Sequence, residues 1–153
     1  MSDPRHNSRI IAIQKLFEQT FPGIDPMDKP TEQKFELDVL SEVDEFSDYN
    51  EELVDQLIIG VSQSYKTIDL VIADLAPEWP IDKIAKTDLQ ILRIAIWEGF
   101  IGKITPKKVA IDEAIELAKE FSNEQSRKFI NGVLGALIAN EEKYQSKLTN
   151  EQK

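Results

Sequence analysis

The sequence predicts an all-α protein, two small helix bundles with no strands, and three observations carry that prediction. Apolar residues recur at helical spacing along most of the chain. No segment sustains the period-two alternation of a half-buried strand. Cap residues and Pro or Gly breakers bracket the periodic stretches at the offsets that helices use.

Asp3-Pro4 opens a first helix that runs to about Thr20, with Ile10, Ile13, Leu16 and Phe17 on its apolar face. Pro22-Gly23 ends it, and the prolines and aspartates of residues 22–32 read as a loop. Residues 33–43 read as a short amphipathic helix through Phe35, Val39, Leu40 and Val43, followed by an acidic turn at 44–48. Asn50 then caps a long helix over 51–75, roughly 38 Å at 1.5 Å per residue. Val54, Ile58, Val61, Tyr65, Ile68, Ile72 and Leu75 form a heptad seam along it. The flanking charges are almost all acidic and would repel in a parallel dimer, so the seam reads as the spine of an intramolecular bundle.

Pro77 and Trp79-Pro80 stop that helix and mark an internal boundary. A short turn around 81–86 precedes Thr87 and Gln90, which match a capping box. Leu89 to Ile101 is apolar on nearly every face, as a central buried helix is. Thr105-Pro106 opens the next helix, with Ala110, Ala114, Leu117, Ala118 and Phe121 on its inner face. Ser122 with Gln125 matches another capping box, for a last helix burying Phe129, Ile130, Val133, Leu134, Leu137 and Ile138. Gly132 and Gly135 each weaken that helix by about 1 kcal/mol relative to Ala, which fits either close helix approach or a surface role. The organisation expected is a single domain over 1–153, with subdomains over about 3–78 and 79–140 and a tail over 141–153.

The 153 residues contain no cysteine and one histidine, which leaves no disulfide, no thiol catalysis and no zinc site. No apolar run is long enough to span a membrane, and the charged opening lacks the apolar stretch of a secretory signal. A cytoplasmic protein without cofactor or metal is expected. The net charge is −10, but it is unevenly placed. Residues 21–80 hold fifteen acidic residues against Lys29, Lys34 and Lys66, a local balance of −12, so the rest of the chain has room for a basic surface. Glycine-rich phosphate loops, the GxSxG elbow, HExxH and the Glu-x-x-His pairs of di-iron bundles are missing, which argues against an enzyme.

Two sets of donors stand out. Arg5 and Arg9 are like charges four residues apart near a helix N-terminus, against both the i,i+4 rule and the macrodipole, with His6 and Asn7 between them. Either an anion such as RNA phosphate docks there, or the terminus is simply solvated. Lys107 and Lys108 open one C-terminal helix, and Arg127 and Lys128 adjoin Phe129 in the next. Basic residues beside an aromatic and an Asn suit single-stranded RNA, although Phe129 also fits a plain core position.

ILRIAIWE, KVAIDEAIELAKEF and SRKFINGVL resemble the C-terminal half of the NusB family of bacterial transcription antitermination factors, and RHNSRIIAIQKLF resembles that family's arginine-rich opening helix. The resemblance covers most of residues 5–137 and is poor across 22–50. It implies an all-helical fold of two bundles packed across each other, and a non-enzymatic factor. With a small-subunit ribosomal protein, such a factor binds the single-stranded boxA element of ribosomal RNA transcripts and joins RNA polymerase and other Nus factors. By that resemblance the RNA contacts fall on Arg5, His6, Asn7 and Arg9, and on Ser126, Lys128, Phe129 and Asn131, with Lys107 and Lys108 added from the donor pattern; the protein-partner contact falls on Phe17. The family's opening usually has consecutive arginines. Only Arg5 and Arg9 stand here, which implies weak RNA binding by the isolated chain and dependence on the ribosomal protein. Two other readings fit the same residues: the RNA-targeting domain of a ribosomal RNA cytosine methyltransferase, or a helical protein-interaction module without RNA.

Overall fold

The computed structural model describes residues 3–20 and 48–150, and within them every regular element is helical. Six α-helices follow in order: α1 (Pro4–Thr20), α2 (Glu51–Leu75), α3 (Lys86–Ile96), α4 (Lys107–Phe121), α5 (Glu124–Ala139) and α6 (Glu141–Asn150). A 3₁₀ turn at Ile81–Lys83 precedes α3, and a π turn at Trp97–Ile101 follows it. The helix read at 33–43 and the acidic stretch before Asp48 lie outside the described residues.

Helix α1 starts where Asp3 predicts, its Oδ1 accepting from the Arg5 backbone N–H at 3.0 Å. Asn50 caps α2 in the same way, accepting from Leu53 N–H at 3.1 Å. The two helix starts are tied together by Ser8, whose hydroxyl accepts from Asn50 N–H at 2.7 Å and lies within hydrogen-bond distance of the Pro4 and Asn50 carbonyls. Along α2 the heptad positions Val54, Val61, Ile68 and Ile72 are buried, and Leu53, Leu57 and Val71 widen the buried stripe beyond a coiled-coil seam. The stripe packs inside the chain, as an intramolecular spine does.

Helix α3 is the centre. Every residue from Thr87 to Ile96 is buried, including Arg93, whose guanidinium pairs with Asp69 at 2.6 and 2.9 Å and lies 5.1 Å from the Tyr65 ring centroid. The helix is shorter than the apolar run implied. At Trp97 the ladder widens to i→i+5 bonds, with Gly102 N–H reaching the Trp97 carbonyl at 2.6 Å. One extra residue per turn resets the phase of the side chains, and Glu98 ends up inside, 1% exposed.

Three expected caps are corrected. Helix α3 begins at Lys86 with Ala85 at its cap and no side-chain bond; Thr87 is already inside it. Gln90 is fully buried, with neither amide atom bonded among the described residues. Helix α4 follows Pro106, not a Thr105 hydroxyl cap, because Thr105 turns inward and receives Arg5. Helix α5 is capped by Asn123, whose Oδ1 accepts from Ser126 N–H at 2.9 Å; Ser122 faces the other way, onto Asp88.

Residues 141–150, read as part of a tail, form α6 and complete the core. Tyr144 and Leu148 are buried, and the Tyr144 hydroxyl donates to Asp74 at 2.6 Å. Buried side chains from all six helices join in one cluster.

Candidate nucleic-acid interface

The opening of α1 reaches α4 through its side chains. Arg5 is exposed and reaches Thr105 Oγ1 at 3.4 Å, just before α4 begins. His6 meets the other end: its Nε2 lies 2.6 Å from Glu120 and its Nδ1 3.2 Å from Glu113. Glu120 first, and Glu113 after it, outweigh burial and push the imidazole pKa up to about 9. At neutral pH both ring nitrogens therefore carry protons and both donate.

Two members of the expected RNA set are not at the surface. Asn7 is 3% exposed, its amide donating to the Asp48 carbonyl at 2.8 Å. Arg9 is 2% exposed and forms a forked pair with Glu98: Nη2 to Oε2 at 2.9 Å, Nε to the two oxygens at 3.1 and 3.2 Å. Its other amino group faces Glu113 at 3.5 Å. Of the two like charges, Arg9 answers to carboxylates of this chain, while the Arg5 side chain meets only the Thr105 hydroxyl among the described residues. Phe17, expected at a protein partner's surface, is 6% exposed and so already covered.

At the start of α4, Lys107 is ion-paired with Glu141 and lies 5.6 Å from the Phe100 ring centroid. Lys108 is exposed and makes no ion pair among the described residues. Lys103 is exposed beside them, in a left-handed conformation at φ 52°. Arg5, Lys103 and Lys108 are thus the open cations around Thr105.

The third set gathers where α5 meets the turn before α3. Ser126 donates inward to Asp88 at 2.7 Å, and Ser122 donates to the other oxygen of that carboxylate at 2.9 Å. Burial raises the Asp88 pKa while the two hydroxyls oppose the rise. Over this buried hub opens a groove of about 680 Å³. Phe129 is half-buried on one wall and meets the exposed Trp79 edge to face, centroids 6.1 Å apart at 68°. Lys83 and Lys128 line the rim, and the Lys128 contact to Glu124 is a solvated one at 3.8 Å. Asn131 is exposed one turn from Lys128. A Cβ added to Gly132 or Gly135 would meet nothing within 4 Å among the described residues, so close approach of another described helix is not what these glycines serve.

The α4–α5 corner links the first and third sets: Glu120, which holds His6, stands two residues before Ser122, which holds Asp88. The sequence reading missed Trp79, Lys83 and Asp88 as site residues. Trp79 registered only as part of a helix stop, and its 51% exposure is visible only in the fold. Among the described residues no helix is long and apolar enough to cross a membrane, and no His, Cys, Asp and Glu group would hold a metal.

A NusB family model matches residues 6–139. Transcription antitermination protein NusB of Chloroflexus aggregans is 36% identical over 140 residues, 90% of this chain and 89% of that protein. The Roseiflexus castenholzii protein of the same name is 36% identical over 141 residues, 91% of this chain and 94% of that one. Among solved structures, T. maritima NusB superposes with a TM-score of 0.67 at 30% identity, covering 95% and 99% of the two chains. NusB from Aquifex aeolicus shares the fold at a TM-score of 0.64 and 23% identity, over 90% of this chain and 89% of that one. The chain therefore belongs to the NusB family and is a non-catalytic transcription antitermination factor.

Proposed function

We propose that this factor works in the cytoplasm by holding a boxA-type single-stranded RNA of ribosomal RNA transcripts jointly with a small-subunit ribosomal protein, and that the assembly joins RNA polymerase and other Nus factors. The observation that carries the proposal is the Trp79–Phe129 groove with lysines on its rim. Splayed bases stack on exposed aromatic rings, and amide and ammonium groups read their edges or hold phosphate. Arg5 and Lys108 supply further phosphate contacts, with Lys107 joining when Glu141 releases it. His6 and Ser126 support the surface through Glu120 and Asp88; Asn7 and Arg9 support it from within.

So few open cations give a shallow salt dependence and weak binding by the chain alone, which is why the ribosomal protein is required. The test is a titration of fluorescent boxA RNA with the chain, with and without that protein. Binding is expected only with both present. Trp79→Ala should weaken the ternary complex roughly tenfold, since base stacking on an aromatic contributes about 1–3 kcal/mol. Unchanged RNA affinity in Trp79→Ala and Lys128→Ala together would refute this site. Tight association with the ribosomal protein, to which RNA adds nothing, would instead favour a pure protein-interaction module.

A further inference from the structure

A second groove, of about 880 Å³, runs between the first half of α2 and the π turn, and nothing in the RNA reading uses it. Trp97 forms its floor, held in place by two glycines. A Cβ on Gly60 would stand 2.0 Å from the indole, and one on Gly102 would stand 2.7 Å from it, so the ring lies directly on backbone from both elements. The ring is half-buried, and its N–H has no hydrogen-bond partner among the described residues. Ile104 continues the apolar floor, and Ile59 stands at the edge, 57% exposed.

The lip of the groove carries one sign of charge. Glu51, Glu52 and Asp55 are exposed, and among the described residues they form no ion pair and no lysine or arginine lines the groove with them. Glu51 and Glu52 suit the positive end of α2. Asp55 does not share that reason: it lies a turn further in and repels Glu51 across an i,i+4 spacing. A carboxylate kept against that repulsion, above a pinned indole and an exposed isoleucine, fits a cation with an apolar neighbour.

We infer that this groove docks a basic amphipathic segment of a protein partner, one aliphatic or aromatic side chain entering beside Trp97 while Lys or Arg reaches the carboxylate lip. A guanidinium or ammonium over the indole face adds a cation–π contact.

The test uses the full chain carrying Trp79→Phe, so that Trp97 is the sole emitter. The probe is an amidated octapeptide alternating leucine with lysine and arginine, and the control replaces its cations with glutamate; both are titrated in physiological salt. The cationic peptide should shift Trp97 emission saturably, and the acidic one should not. Glu52→Lys with Asp55→Lys should weaken binding at least tenfold, while Asp112→Lys with Glu116→Lys, an equal change of net charge on the exposed side of α4, should leave it unchanged. Equal loss in both pairs would mean attraction to bulk charge and would overturn the inference. So would a Trp97 signal that responds to protein concentration and not to peptide, which would place a second copy in the groove.

Discussion

Removing the Arg9 guanidinium is the sharpest test of the architecture, because sequence reasoning and the structure disagree about it. As a surface RNA contact, Arg9→Ala would leave stability nearly untouched. As found, Arg9 is 2% exposed and Glu98 1%, with three N···O distances between 2.9 and 3.2 Å. The variant leaves a carboxylate inside the core without its cation, and breaking such a pair costs about 3–5 kcal/mol. For a chain of this size 1 kcal/mol corresponds to roughly 2–4 °C, so the melting temperature should fall by about 6–20 °C. Urea unfolding followed by helical circular dichroism gives the free energy directly. The double variant Arg9→Met/Glu98→Leu removes both charges and should recover most of the loss, since an apolar pair of similar volume often equals or exceeds a buried ion pair. Arg9→Ala within 1 kcal/mol of the parent would refute the reasoning. So would a double variant no more stable than the single one.

The clamp on His6 makes stability depend on pH with a definite sign. Its folded pKa, about 9, lies above the ordinary 6.5, so its contribution is complete below pH 6.5 and disappears as pH rises through 9. Relative to His6→Asn, the parent should lose melting temperature between pH 6.5 and 9.5; parallel curves for the two would show that the imidazolium is not held. Gly132→Ala and Gly135→Ala enter open space on an exposed helix face and should each raise stability by up to about 1 kcal/mol in thermal melts. A loss of stability would mean that something in the folded chain fills the space beside them.

Periodicity and punctuation located every described helix except α6, whose Tyr144 and Leu148 are two apolar residues in a polar stretch and give little signal. Caps were harder, because Ser122 and Thr105 are good caps by type and only tertiary partners turn their hydroxyls elsewhere. The site was half legible. Of the two arginines at i,i+4 near a helix start, Arg9 does meet an anion, but nothing local says that it is a carboxylate 89 residues away in a π turn. The groove wall needed Trp79 and Phe129 side by side, which no spacing rule encodes for residues in separate elements.

The bonds from Asn7 to Asp48 and from Ser8 to Asn50 have a practical reach. They pin the start of α2 to the first turns of α1, so the two helices keep their register at that end. Removing the Asn7 amide and the Ser8 hydroxyl together should therefore free the start of α2 from α1 while the shared core cluster stays in place.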